Sequence, residues 1–232
     1  EYRTDYSNAS RTQLFNIFDL KWDAEICKLF GIDPANMAEV TDSDACFGET
    51  DFEGLLPHKI PIHGVLGDSH GSLFGQGCLQ PGMIKSTYGT GSSIMMNIGE
   101  KPILSTHGVV TSLAWKISGK VNYVLDGNLN YTGAVITWLK DDLQIIASPG
   151  ETGPLAKAAI QEDSLYLVPA FSGLGAPYWD SEARASVVGM SRTTRKAEFV
   201  RAALECIAYQ ITDVVQAMAE DAGVPVKELR VD

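Results

Sequence analysis

Cysteine is scarce in this sequence of 232 residues, and basic residues are fewer than acidic ones. The four cysteines form no C-x-x-C pair, and the four histidines show no paired spacing. Neither a zinc site nor a disulfide framework is therefore indicated, and we expect reduced thiols, as in the cytoplasm. The four positions are Cys27, Cys46, Cys78 and Cys206.

Positive charge is also in short supply, because 18 Lys and Arg face 29 Asp and Glu, a formal net charge of −11. With no basic stripe to neutralise phosphates, we expect no nucleic-acid partner. No apolar run has the length needed to cross a bilayer, so we expect no membrane partner either.

The two ends of the sequence predict a truncated chain. The N-terminus has neither an initiator Met nor a signal peptide. At the other end, residues 229–232 alternate like a strand that has only begun. We expect segments to be missing on both sides.

Hydrophobic residues make up 45% of the chain and charged residues 20%, which is enough for one large core or two small ones. Residues 11–42 are predicted to be helical, with an apolar face ending at Gly31 and Pro34. From Lys59, a strand-like run leads to Gly67-Asp68 and a following helix. The apolar face predicted within residues 11–42 consists of Trp22, Ile26, Leu29 and Phe30.

The pattern changes at the glycines of residues 77–82, where we predict a junction between a first domain (1–78) and a second domain (79–232). A meander of four strands is predicted at 83–87, 93–97, 109–115 and 121–125, separated by glycine-bearing turns.

Helical periodicity follows the meander. A helix is predicted from Gly133, with Thr132 as its cap and apolar positions at Ile136, Leu139, Leu143 and Ile146. Short strands are predicted at 165–168 and 185–190. A long helix is then expected to end before Gly223; its i+4 series is Phe199, Ala203, Ile207, Ile211 and Val215.

Asp68 follows the predicted strand, and small residues surround it. A carboxylate at the C-terminal edge of a strand can reach a substrate hydroxyl or a metal-bound water. It can equally cap the helix that follows, and position alone does not separate the two interpretations. His70 stands two residues further on, where a structural role is the more common one for a single histidine.

The segment Ser86–Ser93 contains the run Gly89-Thr90-Gly91 between two predicted strands. The amides of such a turn can converge on an anion, and the threonine hydroxyl adds a donor. A plain hairpin turn that needs glycine for positive φ is the alternative. The turn is not a Walker loop, because no Gly-Lys-Ser/Thr follows.

A third segment, Phe171–Asp180, is dense in glycine, proline and aromatic residues. Its aromatic side chains either build a structural corner or contact a ligand.

Together these segments resemble the FGGY carbohydrate kinases, and among them the glycerol and xylulose kinases. The resemblance covers nearly the whole chain, and the ordered set of motifs is highly specific. The matching segments are Thr4–Thr12, Gly67-Asp68, Ser86–Gly91, Val168–Asp180, and Ala185–Met190 with Glu198–Glu205.

The resemblance implies an α/β fold, the actin-like ATPase (ribonuclease H-like) two-domain architecture, incomplete in this chain. Its active site would lie in the cleft between the domains. It implies ATP and Mg²⁺ as cofactors and a sugar or polyol, a pentulose such as xylulose or glycerol, as substrate. Asp68 would be the general base and would lie close to the Mg²⁺. The nucleotide would meet Gly89, Thr90, Gly91, Gly133 and Thr137.

The sequence departs from the family pattern around the substrate. Ser69 and His70 stand where glycerol kinases have two glutamines, and Ser93 replaces an aromatic that packs on glycerol. We expect these residues, with Asp68, to bind a substrate that has more hydroxyl groups than glycerol, because each buried hydroxyl needs a partner. The family's N-terminal Asp-x-Gly-Thr and its later Gly-Gly segment are absent, so this chain alone should be inactive.

Two alternatives remain on the same scaffold. One is a non-catalytic ATP- or sugar-binding regulatory protein, since fold does not fix function. The other is an actin-like structural ATPase, which would lack the segment around 185–205. A homo-oligomer is a further possibility that the sequence leaves open.

Overall fold

The computed structural model describes residues 2–160 and 164–232. The helices in chain order are α1 (Tyr6–Ala9), α2 (Ala24–Leu29), α3 (Asp68–Gly75), α4 (Gly133–Thr137), α5 (Thr152–Ala158) and α6 (Lys196–Ala222). The strands are β1 (Arg3–Asp5), β2 (Phe15–Asn16), β3 (Lys21–Trp22), β4 (Glu39–Thr41), β5 (Cys46–Thr50), β6 (Ile60–His63), β7 (Met83–Tyr88), β8 (Ser92–Gly99), β9 (Val110–Ile117), β10 (Lys120–Leu129), β11 (Tyr166–Val168), β12 (Ser186–Val188) and β13 (Glu228–Val231). In the described ranges, no helix combines the length and apolarity that crossing a membrane requires.

The centre of the fold is a five-stranded sheet in the order β13-β7-β8-β10-β9. β13 pairs in parallel with β7, and the other neighbours are antiparallel. The four predicted strands are therefore confirmed, but the predicted meander order is wrong, because β10 lies between β8 and β9 in the sheet. Its tightest turn joins β9 to β10 through Ser118 and Gly119, whose φ values of 50° and 78° suit a two-residue hairpin.

The two faces of this sheet differ in chemistry because side chains alternate along each strand. One face is apolar and packs on α6, and its residues form the main core: Ile84, Ile94, Met96, Leu125 and Leu129. The opposite face is mixed. Its apolar end packs around Leu73 of α3, while its polar end carries Lys85, Thr87, Ser93, Asp126 and Asn128.

Helix α6 confirms the prediction of a long helix near the C-terminus. Its 27 residues span about 40 Å, and Gly223 ends it in the left-handed conformation with φ 61°. The N-terminal half packs on Val135 and Leu167, and the C-terminal half packs on the central sheet. One helix thus supports two apolar clusters.

The prediction of a helical segment at 11–42 is wrong. Only α2 is helical in the α form there, and Leu29 and Phe30 of the proposed apolar face are 85% and 64% exposed. Short polar side chains limit the helix instead, since Asn16 accepts hydrogen bonds from two turn amides and Asp23 caps the start of α2 by accepting from two of its amides.

The strand predicted before Asp68 is only half right. β6 ends at His63, pairs with β5 in an exposed hairpin, and is followed by Gly64 at φ 87°. Asp68 therefore does not lie at the edge of an open sheet. It is the first residue of α3.

The helix predicted from Gly133 is shorter than expected. α4 ends at Thr137 and passes into a π-helical turn, Trp138–Asp142, so Leu143 lies outside the helix and is 40% exposed. Thr132 precedes α4 without capping it through its side chain. Its hydroxyl accepts a hydrogen bond from Ser92 Oγ at 2.9 Å instead.

Cys27, Cys78 and Cys206 are buried, Cys46 is exposed, and none of the four is paired in a disulfide. Gly77 and Gly82, at the predicted junction, both have positive φ. The division into domains 1–78 and 79–232 itself stays a prediction.

Candidate functional site

A polar cavity of about 410 Å³ lies between α1, the start of α3 and the mixed face of the central sheet. It brings together all four residues that the sequence predicts for substrate: Asp68, Ser69, His70 and Ser93. The other lining residues are Asn8, Arg11, Leu66, Gly67, Met95, Asp126 and Asn128.

Asp68 is exposed at the first position of α3. The N-cap of that helix is Gly67, and Asp68 Oδ1 accepts only the neighbouring Ser69 amide, at 2.6 Å, among the contacts of the described residues. The helix-cap interpretation of Asp68 is therefore not supported. Its carboxylate has lone pairs available to the cavity.

The position of Asp68 depends on a buried carboxylate far away in sequence. Asp5 is fully buried and accepts hydrogen bonds from Ser7 Oγ, from Asn8 Nδ2 at 2.7 Å and from Ser43 Oγ at 2.7 Å. Ser7 Oγ in turn accepts the Gly67 amide at 2.9 Å. This network holds the residue that precedes Asp68.

Sequence reasoning used residues 4–12 only as a matching motif and missed this positioning role. A signal was present, because Asp is one of the residues preferred at a helix N-cap. Asp5 is indeed the N-cap of α1.

His70 is 3% exposed, and its Nε2 lies 3.4 Å from Ser112 Oγ. Burial lowers the pKa of His70 to about 4, and the positive charge of Arg11 acts in the same direction. The imidazole is therefore neutral at neutral pH. A side chain at Gly67 would place its Cβ 2.8 Å from His70 Nδ1, so the ring needs glycine there.

Lys85 is the largest fully buried side chain of the sheet, and sequence reasoning missed it. Its Nζ donates to Thr87 Oγ1 at 3.0 Å and to Ser93 Oγ at 3.2 Å. Burial lowers the pKa of Lys85, and Asp232 is the largest opposing charge. Lys85 thus fixes the orientation of the Ser93 hydroxyl at the cavity wall.

The turn Gly89-Thr90-Gly91 packs directly against the start of α4. The amides of Gly133 and Ala134 donate to the carbonyls of Gly89 and Thr90, both at 3.0 Å. A Cβ at Gly91 would approach Leu129 O to 2.2 Å, and one at Gly133 would approach Gly89 O to 2.4 Å. Both glycines are required by this close approach of two backbones.

A second cavity of about 430 Å³ lies beside this turn. It brings exposed Thr90 together with Thr137, while Gly89, Gly91 and Gly133 shape the backbone next to it. A cleft with hydroxyl groups and aromatic walls is chemically suited to a nucleotide. Its remaining lining residues are Tyr131, Ala134, Trp138, Asp142 and Phe171.

The aromatic residues of the 171–180 loop hold the loop to the rest of the fold. Phe171 packs against Tyr131 and Trp138, with ring centroids 5.0 and 4.9 Å apart. Tyr178 donates to Asp213 at 2.9 Å, and Trp179 Nε1 donates to Gly108 O at 2.6 Å. Within the described chain these contacts favour the structural-corner interpretation.

The two cavities are linked by the hairpin of β7 and β8. Ser93, near the start of β8, lines the first cavity, and the turn that joins the two strands lies beside the second. One predicted substrate residue, Ser93, and the predicted nucleotide residues of the turn at 89–91 thus lie on the same hairpin.

Comparison with known proteins assigns both parts of the chain to one group. The model for the C-terminal domain of the FGGY family of carbohydrate kinases matches residues 84–232, and that for the N-terminal domain matches residues 1–75. The curated glycerol kinases of Bacillus licheniformis and Chromobacterium violaceum are 49% and 50% identical over 229 residues. Those 229 residues are 99% of this chain but 46% of each relative, so the chain spans about half of their length.

Solved structures show the same similarity. The crystal structure of Plasmodium falciparum glycerol kinase with ADP superposes with a TM-score of 0.90 at 36% identity, over 99% of this chain and 46% of that one. Xylulose kinase from Lactobacillus acidophilus gives 0.85 at 22% identity, over 99% and 47%, which shows the fold alone. The expected actin-like ATPase fold, incomplete in this chain, is confirmed.

We predict that Gly133→Ala destabilises the full-length protein by about 1–3 kcal/mol, because the new methyl group forces apart the turn and α4. Gly153→Ala is the matched control, since its Cβ would meet open space inside helix α5. That variant should be stabilised by about 0.4–1 kcal/mol. Urea unfolding midpoints measure both, and equal shifts in the two variants would contradict the close approach.

We also predict that His70 makes stability depend on pH. The unfolded histidine takes up a proton below its ordinary pKa of 6.5, while the folded one stays neutral down to about 4. The free energy of unfolding should therefore fall as pH falls through this window, by at most about 1.4 kcal/mol per pH unit from this residue.

The measurement is urea unfolding of wild type and His70→Gln from pH 7.5 to pH 4, where the variant should lose the His70 part of the slope. His107→Gln is the control of opposite sign. A hydrogen bond to Asp221 raises the pKa of His107, so its contribution is present at low pH and is lost as pH rises through the folded pKa. Identical slopes in wild type and His70→Gln would show that His70 is not held neutral by burial.

Proposed function

This chain belongs to the FGGY family of carbohydrate kinases, and from that premise we propose that the full-length protein transfers the γ-phosphoryl group of ATP to a hydroxyl group of a polyol or sugar. The observation that carries the proposal is the exposed carboxylate of Asp68 in a cavity lined by hydroxyl, amide and charged groups. A polyol needs such a lining, because each of its buried hydroxyls must find a partner.

Asp68 orients the acceptor hydroxyl and takes its proton as the oxygen attacks. A placed carboxylate of this kind contributes roughly 10² to 10⁴ in rate. Because phosphoryl transfer relies chiefly on position and on charge compensation, the rigid attachment of Gly67 to Ser7 contributes directly to catalysis.

The nucleotide binds beside the turn at 89–91. Thr90 and the amides around it hold the γ-phosphate, Thr137 lines the same cavity, and Gly133 lets the two backbones approach. That a relative of solved structure carries ADP supports this assignment.

Mg²⁺ fits the residues that are present. Within residues 2–160 and 164–232 no cluster of three or more His, Cys, Asp or Glu could hold a metal ion. Mg²⁺ does not need such a cluster, because it ordinarily uses one or two carboxylates together with substrate phosphates. Asp68, with its free lone pairs, is the carboxylate that would share the ion, which would neutralise charge on the phosphates.

The substrate is a polyol whose hydroxyl groups match the polar lining. The names of two curated relatives point to glycerol, whereas Ser69, neutral His70 and Ser93 favour a substrate with more hydroxyls, such as a larger polyol or a pentulose. Ser93 supports this choice, because its hydroxyl is held at the cavity wall by Lys85. Cytoplasmic location, the lack of nucleic-acid and membrane partners and any homo-oligomeric state stay predictions.

We predict that the full-length protein, given ATP and Mg²⁺, releases ADP faster with erythritol, xylulose or ribulose than with glycerol at equal concentration. An ADP-coupled assay over this panel gives kcat/KM for each compound. A preference for glycerol would overturn the assignment of the larger substrate and leave the kinase in place. No ADP release above background with any member of the panel would overturn the kinase itself.

We further predict that Asp68→Asn lowers kcat at least about 10²-fold and leaves polyol affinity nearly unchanged, because the amide keeps the size of the side chain but cannot accept the proton. Asp19→Asn is the control, since its only described ion pair is with exposed Lys21 at 3.2 Å and such pairs contribute little. Single-turnover rates and calorimetric affinities separate the two effects. Near-normal turnover by Asp68→Asn would remove Asp68 from the mechanism.

A further inference from the structure

Asp126 is a buried carboxylate on the sheet side of the polar cavity. It is 2% exposed and lines the cavity together with Asp68. Its Oδ2 is paired with the Arg11 guanidinium at 2.8 Å, whereas its Oδ1 has no hydrogen-bond partner in the described part of the chain. A buried oxygen of this kind is costly to leave unpaired.

The register of the sheet explains why Asp126 lies at the cavity wall. Asp126 pairs with Met95, and Asn128 pairs with Ser93. Directly opposed residues in an antiparallel pair project from the same face, and all four of these residues line the cavity. The strands thus present a row of polar groups at steps of about 7 Å.

Neither Arg11 nor Lys85 donates a hydrogen bond to Asp126 Oδ1. Arg11 is bonded to Oδ2, and the Lys85 ammonium is directed at Thr87 and Ser93. Burial raises the pKa of Asp126, although Arg11 and Lys85 both act to lower it. A hydroxyl donor that arrives from the cavity would compensate the lost solvation of the carboxylate.

We propose that Asp126 accepts a hydrogen bond from a second hydroxyl group of the acceptor substrate, so that the site selects polyols and ketoses of four or more carbons. This inference rests on the proposed function. Asp68 accepts the proton of the hydroxyl that receives the phosphoryl group, and Asp126 accepts a hydrogen bond from a hydroxyl further along the carbon chain. A site that hydrogen-bonds a substrate hydroxyl discriminates strongly against an analogue that lacks it.

Asp126→Asn in the full-length protein tests the proposal, because the Arg11 guanidinium can only donate and therefore retains the amide oxygen. The amide NH₂ then replaces the unpaired acceptor. Calorimetric titration with erythritol in the absence of nucleotide should show affinity reduced roughly 10- to 100-fold. The KM for ATP should stay unchanged, and the loss should fall mainly on the KM for erythritol rather than on kcat.

Deoxy analogues of erythritol provide the matched comparison. The analogue that lacks the hydroxyl bound by Asp126 should bind the wild type and Asp126→Asn equally well. A role in folding alone would instead lower thermal stability and leave the ratio of affinities for erythritol and its deoxy analogues unchanged.

Asp126→Glu keeps the charge and a partner for Arg11, so it tests the idea even where the asparagine variant does not fold. Its extra methylene moves the carboxylate into the cavity, and the preference should shift from erythritol and xylulose toward glycerol. Unchanged relative affinities in this variant, or equal erythritol affinity in the wild type and a folded Asp126→Asn, would overturn the inference while leaving the kinase intact. A wild-type protein that neither binds nor phosphorylates any polyol would overturn the proposed function, and the inference with it.

Discussion

The alternation of side chains across β7, β8 and β10 is the constraint on which the rest of this structure depends. One face must be apolar to cover α6, and its core residues include Ile84, Ile94, Met96, Leu125 and Leu129. The intervening positions are then free to carry Lys85, Ser93 and Asp126 toward α1 and α3. A slip of one residue in this register would exchange the core with the polar cavity, so the packing that stabilises the sheet also fixes the site.

The sequence predicts the elements in which a long periodic signal and tertiary packing agree. The four antiparallel strands β7 to β10 and helix α6 are of this kind, because many residues repeat the same pattern. Residues 11–42 are not, because Asn16, Asp23 and Asp33 bond local amides and divide the segment into turns. Apolar residues at helical spacing do not outweigh such turn chemistry when they remain exposed, as Leu29 and Phe30 do.

The sequence predicts the candidate site only where the functional residues stand in a short motif. Asp68, Thr90 and the glycines around Thr90 stand in such motifs, and the structure brings them to two neighbouring cavities. The N-cap signal at Asp5 indicates the start of a helix but not the contact with Gly67 through Ser7. Lys85 and Asp126 could not be found in this way, since a charged residue in a strand is ordinarily assigned to solvent. Their burial follows from strand register and from contacts over long sequence separations, which spacing alone does not show.

The hydrogen bond between the Gly67 amide and Ser7 attaches the loop before α3 to a buried hydrogen-bond network. Asp5 accepts hydrogen bonds from the hydroxyl groups of Ser7 and Ser43. The Ser43 hydroxyl also accepts a hydrogen bond from the backbone amide of Lys116 in β9. Surface loops ordinarily open alone, at little free-energy cost. Here the loop cannot open without breaking a buried network that is shared with the sheet. Gly67 should therefore exchange its amide hydrogen on the slow timescale of the core.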